Sequence, residues 1–386
     1  MSELSAITWK WLELCDSVSS SGPVRINKST DADAEQPQQE SNVLCTPLCH
    51  RVMINSNADL NNDLGWTPLH RAAYCGHIPL VKHLLHMREA INSRDMFSYT
   101  AMHRAACNGH TDTVEHLLQR GALLEAQSRC GLSPLHCTAA NGHVSTTQLL
   151  LKYGASVNVK DNNKWTPLHW ACVNDHVDIA KLLLINGSTL DERTDCGMDA
   201  LQLAVEAKSL KAINYLLKKG ADVGARDENE QTALHKAAAN GSKEIMQLLL
   251  ERNATVEAFD KNRLTPLHLA ADSGAASAVH LLLQFGASTD SRDHLHMTPL
   301  QRAALRGQAE AAELLLQHDA DIHAKDWLDR TSLHLAAQKG HCQVVQMLIS
   351  SGADLLAKTK WNETAADLAR DRNLEKVLDV LREHSV

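Results

Sequence analysis

Aromatic side chains make up only 4% of the 386 residues, so any sizeable core has to be built from Leu, Ala, Val and Ile. Basic residues are in deficit too. The 38 Lys and Arg stand against 46 Asp and Glu, a formal net charge of −8, the reverse of what a general binder of nucleic acid or anionic membrane carries. No apolar run approaches the ~18 residues of a membrane span, so membrane insertion is not expected. The N-terminal "MSELSAITWKWLELC" has charges inside its apolar stretch and no small-residue cleavage site, which makes it a poor secretory signal. The 10 cysteines include no Cys-x-x-Cys pair, a usage that suits reduced thiols in the cytoplasm or nucleus. Catalytic signatures are missing as well: there is no Walker loop, no Gly-x-Gly-x-x-Gly, no His-Glu-x-x-His and no Gly-x-Ser-x-Gly. The expectation is a non-enzyme without a cofactor.

What the chain does have is a period. Thr67, Thr100, Ser133, Thr166, Asp199, Thr232, Thr265, Thr298, Thr331 and Thr364 follow one another at steps of 33 residues, with no insertion or deletion. Each has a short side-chain oxygen able to accept a hydrogen bond from an exposed N–H at a helix start. Proline follows at Pro68, Pro134, Pro167, Pro266 and Pro299, where its missing N–H would have had no partner. Paired small residues come next, as in "RAAYCGH" and "LAAQKGH", then leucine clusters such as "LVKHLLHM" and "IAKLLLIN". The second run commonly stops at a Gly-Ala pair, for example Gly121-Ala122 or Gly352-Ala353, where glycine accepts a left-handed conformation. These spacings predict two helices of about ten residues per unit, a unit that buries its apolar face only against its neighbours.

The pattern "TPLH-x-AA-x-x-GH … LLL-x-x-GA-D-V-N-A-x-D" closely resembles the ankyrin repeat family over about residues 43–386. The resemblance implies an all-α ankyrin-repeat solenoid, each repeat a helix-turn-helix plus a hairpin-like turn, that binds partner proteins as a scaffold or adaptor. It also implies that the histidines of "TPLH" (His70, His103, His136, His169, His235, His268, His334) and of "GH" (His77, His110, His143, His176, His341) are structural. Asn92 and Asn158 lie in turns after β-branched residues, a context that looks like the one in which ankyrin repeats undergo asparaginyl hydroxylation. A turn asparagine with a structural hydrogen bond is the plainer reading of both.

Beyond the ten repeats of 63–386, the last of them a polar capping repeat, three segments stand apart. Residues 1–16 place Leu4, Ile7, Trp11 and Leu14 on one face of a short amphipathic helix that caps the repeats or binds a partner. Residues 17–42 read as a disordered linker. Residues 43–62 read as an incomplete repeat, because Thr46 and Thr67 are only 21 residues apart. Metal binding finds little support. "DLNNDLGW" opens like a calcium loop, but its Gly falls one place late and His70 stands where a bidentate Glu is needed. Cys45, Cys49 and His50 have no second pair nearby for zinc. No metal site is expected.

Recognition residues are sought where the repeat leaves positions free. Leu64, Trp66, Met96, Phe97, Tyr99, Leu132 and Trp165 stand just ahead of helix starts, and Leu295, Met297, Trp327, Leu328 and Trp361 do so later. These turn tips are expected to be solvent-exposed, and Trp and Tyr dominate binding hot spots. The residue after "TPLH" is Arg71, Arg104, Trp170, Lys236 or Arg302. By the resemblance, tips and first helices line a concave face. The expected groove has two apolar patches and scattered positive charge, suited to one or more protein partners that offer an apolar segment or domain edge flanked by acidic residues. Direct nucleic-acid binding is not expected, and the chain is taken as a monomer. Two alternatives stand beside this reading. One is a nuclear regulator, IκB-like or ETS-partner-like, that binds a transcription factor. The other is a metal- or redox-linked protein using Cys45, Cys49 and Cys75.

Overall fold

The computed structural model describes residues 65–384; the segments 1–16, 17–42 and 43–62 lie outside them. Contacts divide the chain into two compact units, one up to Asn162 and one from Asn163. The described part of the first holds α1 (Pro68–Tyr74), α2 (Ile78–His86), α3 (Ala101–Cys107), α4 (Thr111–Gln119), α5 (Pro134–Asn141) and α6 (Val144–Lys152). The second holds α7 (Pro167–Val173), α8 (Val177–Ile185), α9 (Ala200–Glu206), α10 (Leu210–Lys218), α11 (Ala233–Ala239), α12 (Lys243–Leu250), α13 (Pro266–Ser273) and α14 (Ala276–Gln284), followed by α15 (Pro299–Arg306), α16 (Ala309–Gln317), α17 (Ser332–Lys339), α18 (Cys342–Ser350), α19 (Ala365–Asp371) and α20 (Glu375–Glu383). Among the described residues there is no strand. The helices are shorter than expected, such as 7 residues in α1 and 9 in α2, because the turns between them begin a residue or two earlier than the apolar pattern suggests.

Within each unit, first helices pack on first helices and second on second. Close approach rests on alanines such as Ala72, Ala105, Ala237, Ala270 and Ala303, all fully buried. Behind them Leu117, Leu150, Leu183, Leu216, Leu249, Leu282, Leu315 and Leu348 give eight of the ten second helices a fully buried leucine at the same phase.

Each first helix opens with a capping box, in which the N-cap side chain and the residue three places later bond reciprocally. All ten expected starts do this. In α13 the His268 Nδ1 accepts from Thr265 N–H at 3.1 Å, and its Nε2–H donates to the Met297 carbonyl at 3.0 Å. The ring thus ties one repeat to the turn that opens the next. His70, His103 and His235 make the same reach to Tyr99, Leu132 and Leu264. Gln202 and Gln301 stand in for histidine, their amides donating to the Gln231 and Arg330 carbonyls at 2.8 and 2.7 Å. The "GH" histidines reach backwards: His110 Nε2–H donates to the Tyr74 carbonyl and His143 Nε2–H to the Cys107 carbonyl, both at 2.8 Å.

The residue that ends each first helix turn has positive φ, as at Gly76 (65°), Gly109 (71°), Asp175 (59°) and Lys208 (60°). A Cβ on Gly76 would lie 2.6 Å from His110 Nδ1, and one on Gly109 2.4 Å from His143 Nδ1. Where Asp175 and Lys208 replace glycine, the residue 34 positions on is Ser209 or Ser242, not histidine. The two positions are sterically linked.

These bonds fix the neutral tautomer of the box histidines, since Nδ1 must accept while Nε2 donates. Replacing His268 by Gln should therefore shift stability by less than ~1 kcal/mol, whereas Leu leaves the buried Thr265 N–H unpaired and takes away one of the two donors to the Met297 carbonyl, and should cost about 1–3 kcal/mol. Urea unfolding of the two variants checks this.

Burial holds His103 down to about 4, against an ordinary 6.5, and lowers His70, His235, His268 and His334 in the same direction. The unfolded chain then binds more protons than the folded one between these values. Stability should be fully present above about pH 6.5 and fall steadily as pH drops toward 4. Melts across that range, compared with His103→Gln, test the assignment.

Candidate functional site

From Asp95 onward, each turn tip holds one buried side chain five residues before the helix start. Asp293 Oδ1 accepts from Leu295 N–H at 2.8 Å and Met297 N–H at 2.9 Å, while Asp293 N–H donates to the Met297 carbonyl. Asp95, Asp227, Asp260 and Asp326 repeat the arrangement. Thr359 manages it with a hydroxyl. Inside this cradle the chain turns through a left-handed residue two places before the helix: Gly65, Ser98, Gly131, Gly197, Glu230, Arg263, His296, Asp329 and Asn362 all have positive φ.

That residue sets which way its neighbours point. The two residues before it form the outer tip, and the one after it folds back under the tip against the first helix. Met297 is 1% exposed, and Trp66 and Trp165 are each 5% exposed. The expectation that these tip residues are solvent-exposed is therefore overturned for Trp66, Trp165 and Met297, as it is for Leu132. Trp170 is buried too, its ring centroid 4.9 Å from that of Trp165. Trp66 packs on Tyr74 at 5.1 Å. Tyr99, in the same phase, is half-buried, and burial pushes its hydroxyl pKa up.

The expected positive charge is also largely withdrawn. Arg104 lies between the rings of Trp66 and Tyr99, 4.6 and 4.5 Å from their centroids, and bonds Asp95. Arg302 bonds Asp293 at 2.5 Å, and Lys236 bonds Asp227 at 2.8 Å. Each acidic partner is almost completely buried, so these cations compensate a desolvated carboxylate and are not offered to a ligand. Arg71 makes no ion pair with a described residue.

Neighbouring tips are joined in register. The N–H of Arg129 donates to the Phe97 carbonyl at 2.8 Å, that of Trp327 to Leu295 at 3.3 Å, and that of Lys360 to Leu328 at 3.0 Å. Arg292 adds a clamp, donating to the carbonyls of His296 and Lys325. On this backing, Trp327 and Trp361 are 60% and 61% exposed. Leu295 and Leu328 are half-buried beside them, and Lys325, Lys358 and Lys360 are exposed. In the first unit Met96 is exposed and Phe97 half-buried. Leu64, Cys45 and Cys49 lie outside the described residues. Cys75 is half-buried, and among the described residues no group of three or more His, Cys, Asp and Glu could hold a metal. Asn92 Oδ1 accepts from Leu123 N–H at 3.0 Å, a bond between successive turns, and Asn158 is half-buried.

Residues 42–128, 102–194, 201–293 and 267–359 match the family model "Ankyrin repeats (3 copies)", together well over half of the chain. The chain belongs to the ankyrin repeat family. No curated protein matches it. Ankyrin repeats generally mediate protein–protein interaction, and this chain carries them through both units. No described helix is long and apolar enough to cross a membrane.

The division among ankyrin tip residues has a direct test. Trp165→Ser should cost about 3–5 kcal/mol through the cavity it leaves, while Trp327→Ser and Trp361→Ser should change stability by less than ~0.5 kcal/mol. Guanidinium titrations of the three single variants would separate the two classes.

Proposed function

We propose that the chain is a non-catalytic protein-interaction scaffold whose principal docking surface is the set of turn tips around Trp327 and Trp361. The observation that carries this reading is the pair of tryptophans, each about three-fifths exposed, on consecutive tips. Large apolar side chains clustered at a surface mark interaction sites, and tryptophan is the residue type most enriched in binding hot spots. Leu295 and Leu328 extend the apolar area, and the ladder of hydrogen bonds beneath it holds the rings on a backbone already ordered before binding, which lowers the entropic cost of docking.

Charge selects among partners. Lys325, Lys358 and Lys360 are exposed in the same two turns as the rings, and none of them makes an ion pair with a described residue. A protein segment or domain edge with apolar side chains flanked by acidic residues fits this surface. The long-range field of a chain with a net charge of −8 opposes such a partner, so the lysines act locally, within about a Debye length of 8–10 Å. The smaller apolar area at Met96 and Phe97 in the first unit offers a second docking point, consistent with a scaffold role.

Quantitative affinity purification should compare the intact chain with Trp327→Ser/Trp361→Ser and with Lys358→Glu/Lys360→Glu. Partners lost from both, and regained by neither at low salt, support the reading. Partner sets that match the intact chain in both variants would remove the tips of the second unit from consideration.

A further inference from the structure

Two cysteines separated by 30 residues in the chain meet inside the first unit. Cys107 closes α3, Cys137 lies four residues into α5, and these two helices pack on each other. The Cys137 S–H donates a hydrogen bond to the Cys107 sulfur. Repeat geometry supports the pairing independently. The equivalent positions in the second unit are Asp272 and Arg302, which approach to 4.0 Å. Side chains at these two phases therefore face each other across neighbouring first helices.

The two thiols differ in surroundings. Cys107 is half-buried, whereas Cys137 is 1% exposed. Cys107 has its pKa lowered, chiefly by the hydrogen bond from Cys137 and further by Arg104, against the opposing effect of burial. Arg104 lies one turn earlier on α3, and a neighbouring cation favours thiolate and hence reactivity. Cys172 provides the contrast: it is fully buried, and burial pushes its thiol pKa up.

We propose that Cys107 and Cys137 form a peroxide-responsive thiol pair that closes into a disulfide and staples α3 to α5. The Cys107 thiolate attacks one oxygen of hydrogen peroxide. The O–O bond breaks, hydroxide leaves and takes up a proton as water, and Cys107 becomes a sulfenic acid. The Cys137 sulfur then attacks the sulfenic sulfur, an S–S bond forms, the S–O bond breaks, and the Cys137 proton leaves with the oxygen as a second water. Two thiols are oxidised to one disulfide and one peroxide is reduced to two waters. Cys107 is the attacking thiol because it is the more accessible of the two. Cys137 resolves the intermediate because it is already in contact.

The test uses the full chain treated with stoichiometric hydrogen peroxide, alkylated, digested and mapped by mass spectrometry. The expected product is a peptide pair joined through Cys107 and Cys137, lighter by two hydrogen atoms than the sum of its thiols and released by dithiothreitol. In Cys137→Ser, which keeps the side-chain volume, Cys107 should stop at the sulfenic acid and be trapped by dimedone. Thermal melts establish that this variant is folded. If it is not, the intact chain still decides through the rate of Cys107 loss, which should match the rate of cross-link formation. The proposal is overturned if Cys107 of the intact chain passes to sulfinic acid while Cys137 remains alkylatable. It is equally overturned if Cys107 links to another cysteine, or if neither thiol reacts faster than Cys172.

Discussion

A side chain of one repeat reaches across to a backbone carbonyl of the next. His268 donates to that of Met297, and Gln301 to that of Arg330. The same carbonyls also accept from the Asp293 and Asp326 N–H groups, so the side chain adds a second bond, worth about 0.5–1.5 kcal/mol, that ties one repeat to the next. The period is locked for that reason. An insertion of one residue between helix start and turn would set each ring against the wrong backbone atom and turn the apolar face of the following helix away from its neighbour. Glutamine serves at two positions because an amide, like a neutral imidazole, offers an acceptor and a donor on opposite sides. Within each unit the helix-start oxygen, the box residue and the next turn are thus one polar network in an otherwise apolar stack. The "GH" histidines supply a second set of bonds in the opposite direction.

A second constraint comes from the buried aspartates. A carboxylate that accepts two N–H groups defines the turn, but its remaining oxygen sits in a poorly solvated place and needs compensation. Asp95, Asp227 and Asp293 receive it from Arg104, Lys236 and Arg302 on the adjacent first helix. Asp260 has Leu269 at the equivalent position and uses the amide of Gln231 at 3.1 Å. Asp326 faces Leu335 and uses Arg330 from its own turn at 2.8 Å. One electrostatic requirement is met in three ways. In each case the group that meets it becomes unavailable to a partner.

Helix starts, glycine stops and the period could be read from residues alone, because each depends on local backbone chemistry that repeats in phase. The direction of the tip side chains could not be read from composition in the same way, since the two neighbours of one left-handed residue point to opposite sides. The signal was nonetheless present. Gly65, Gly131 and Gly197 share one phase and mark the positive-φ position, which places Trp66, Leu132 and Met198 beneath the turn. The ion pairs had a signature as well: Asp95 and Arg104, Asp227 and Lys236, and Asp293 and Arg302 are each nine residues apart. The meeting of Cys107 and Cys137 had none, because it depends on how neighbouring first helices align and not on any spacing within one repeat.

The scarcity of aromatic residues sharpens the meaning of those that remain exposed. Of the five tryptophans among the described residues, Trp66, Trp165 and Trp170 are buried beneath or beside turns, where they pack on Tyr74 or on each other. Trp327 and Trp361 have no comparable enclosure. The repeat does not require tryptophan at either phase: the residues equivalent to Trp327 include Arg129, Glu228 and Lys261, and those equivalent to Trp361 include Cys196, Asn229 and Asn262. All of these support the same turn and the same inter-tip hydrogen bond. A polar residue would keep the fold and remove an adhesive surface. The presence of both rings, bordered by lysines that discourage self-association of like surfaces, is therefore not explained by folding. That surplus over what the fold needs is the ground on which we propose them as a docking surface.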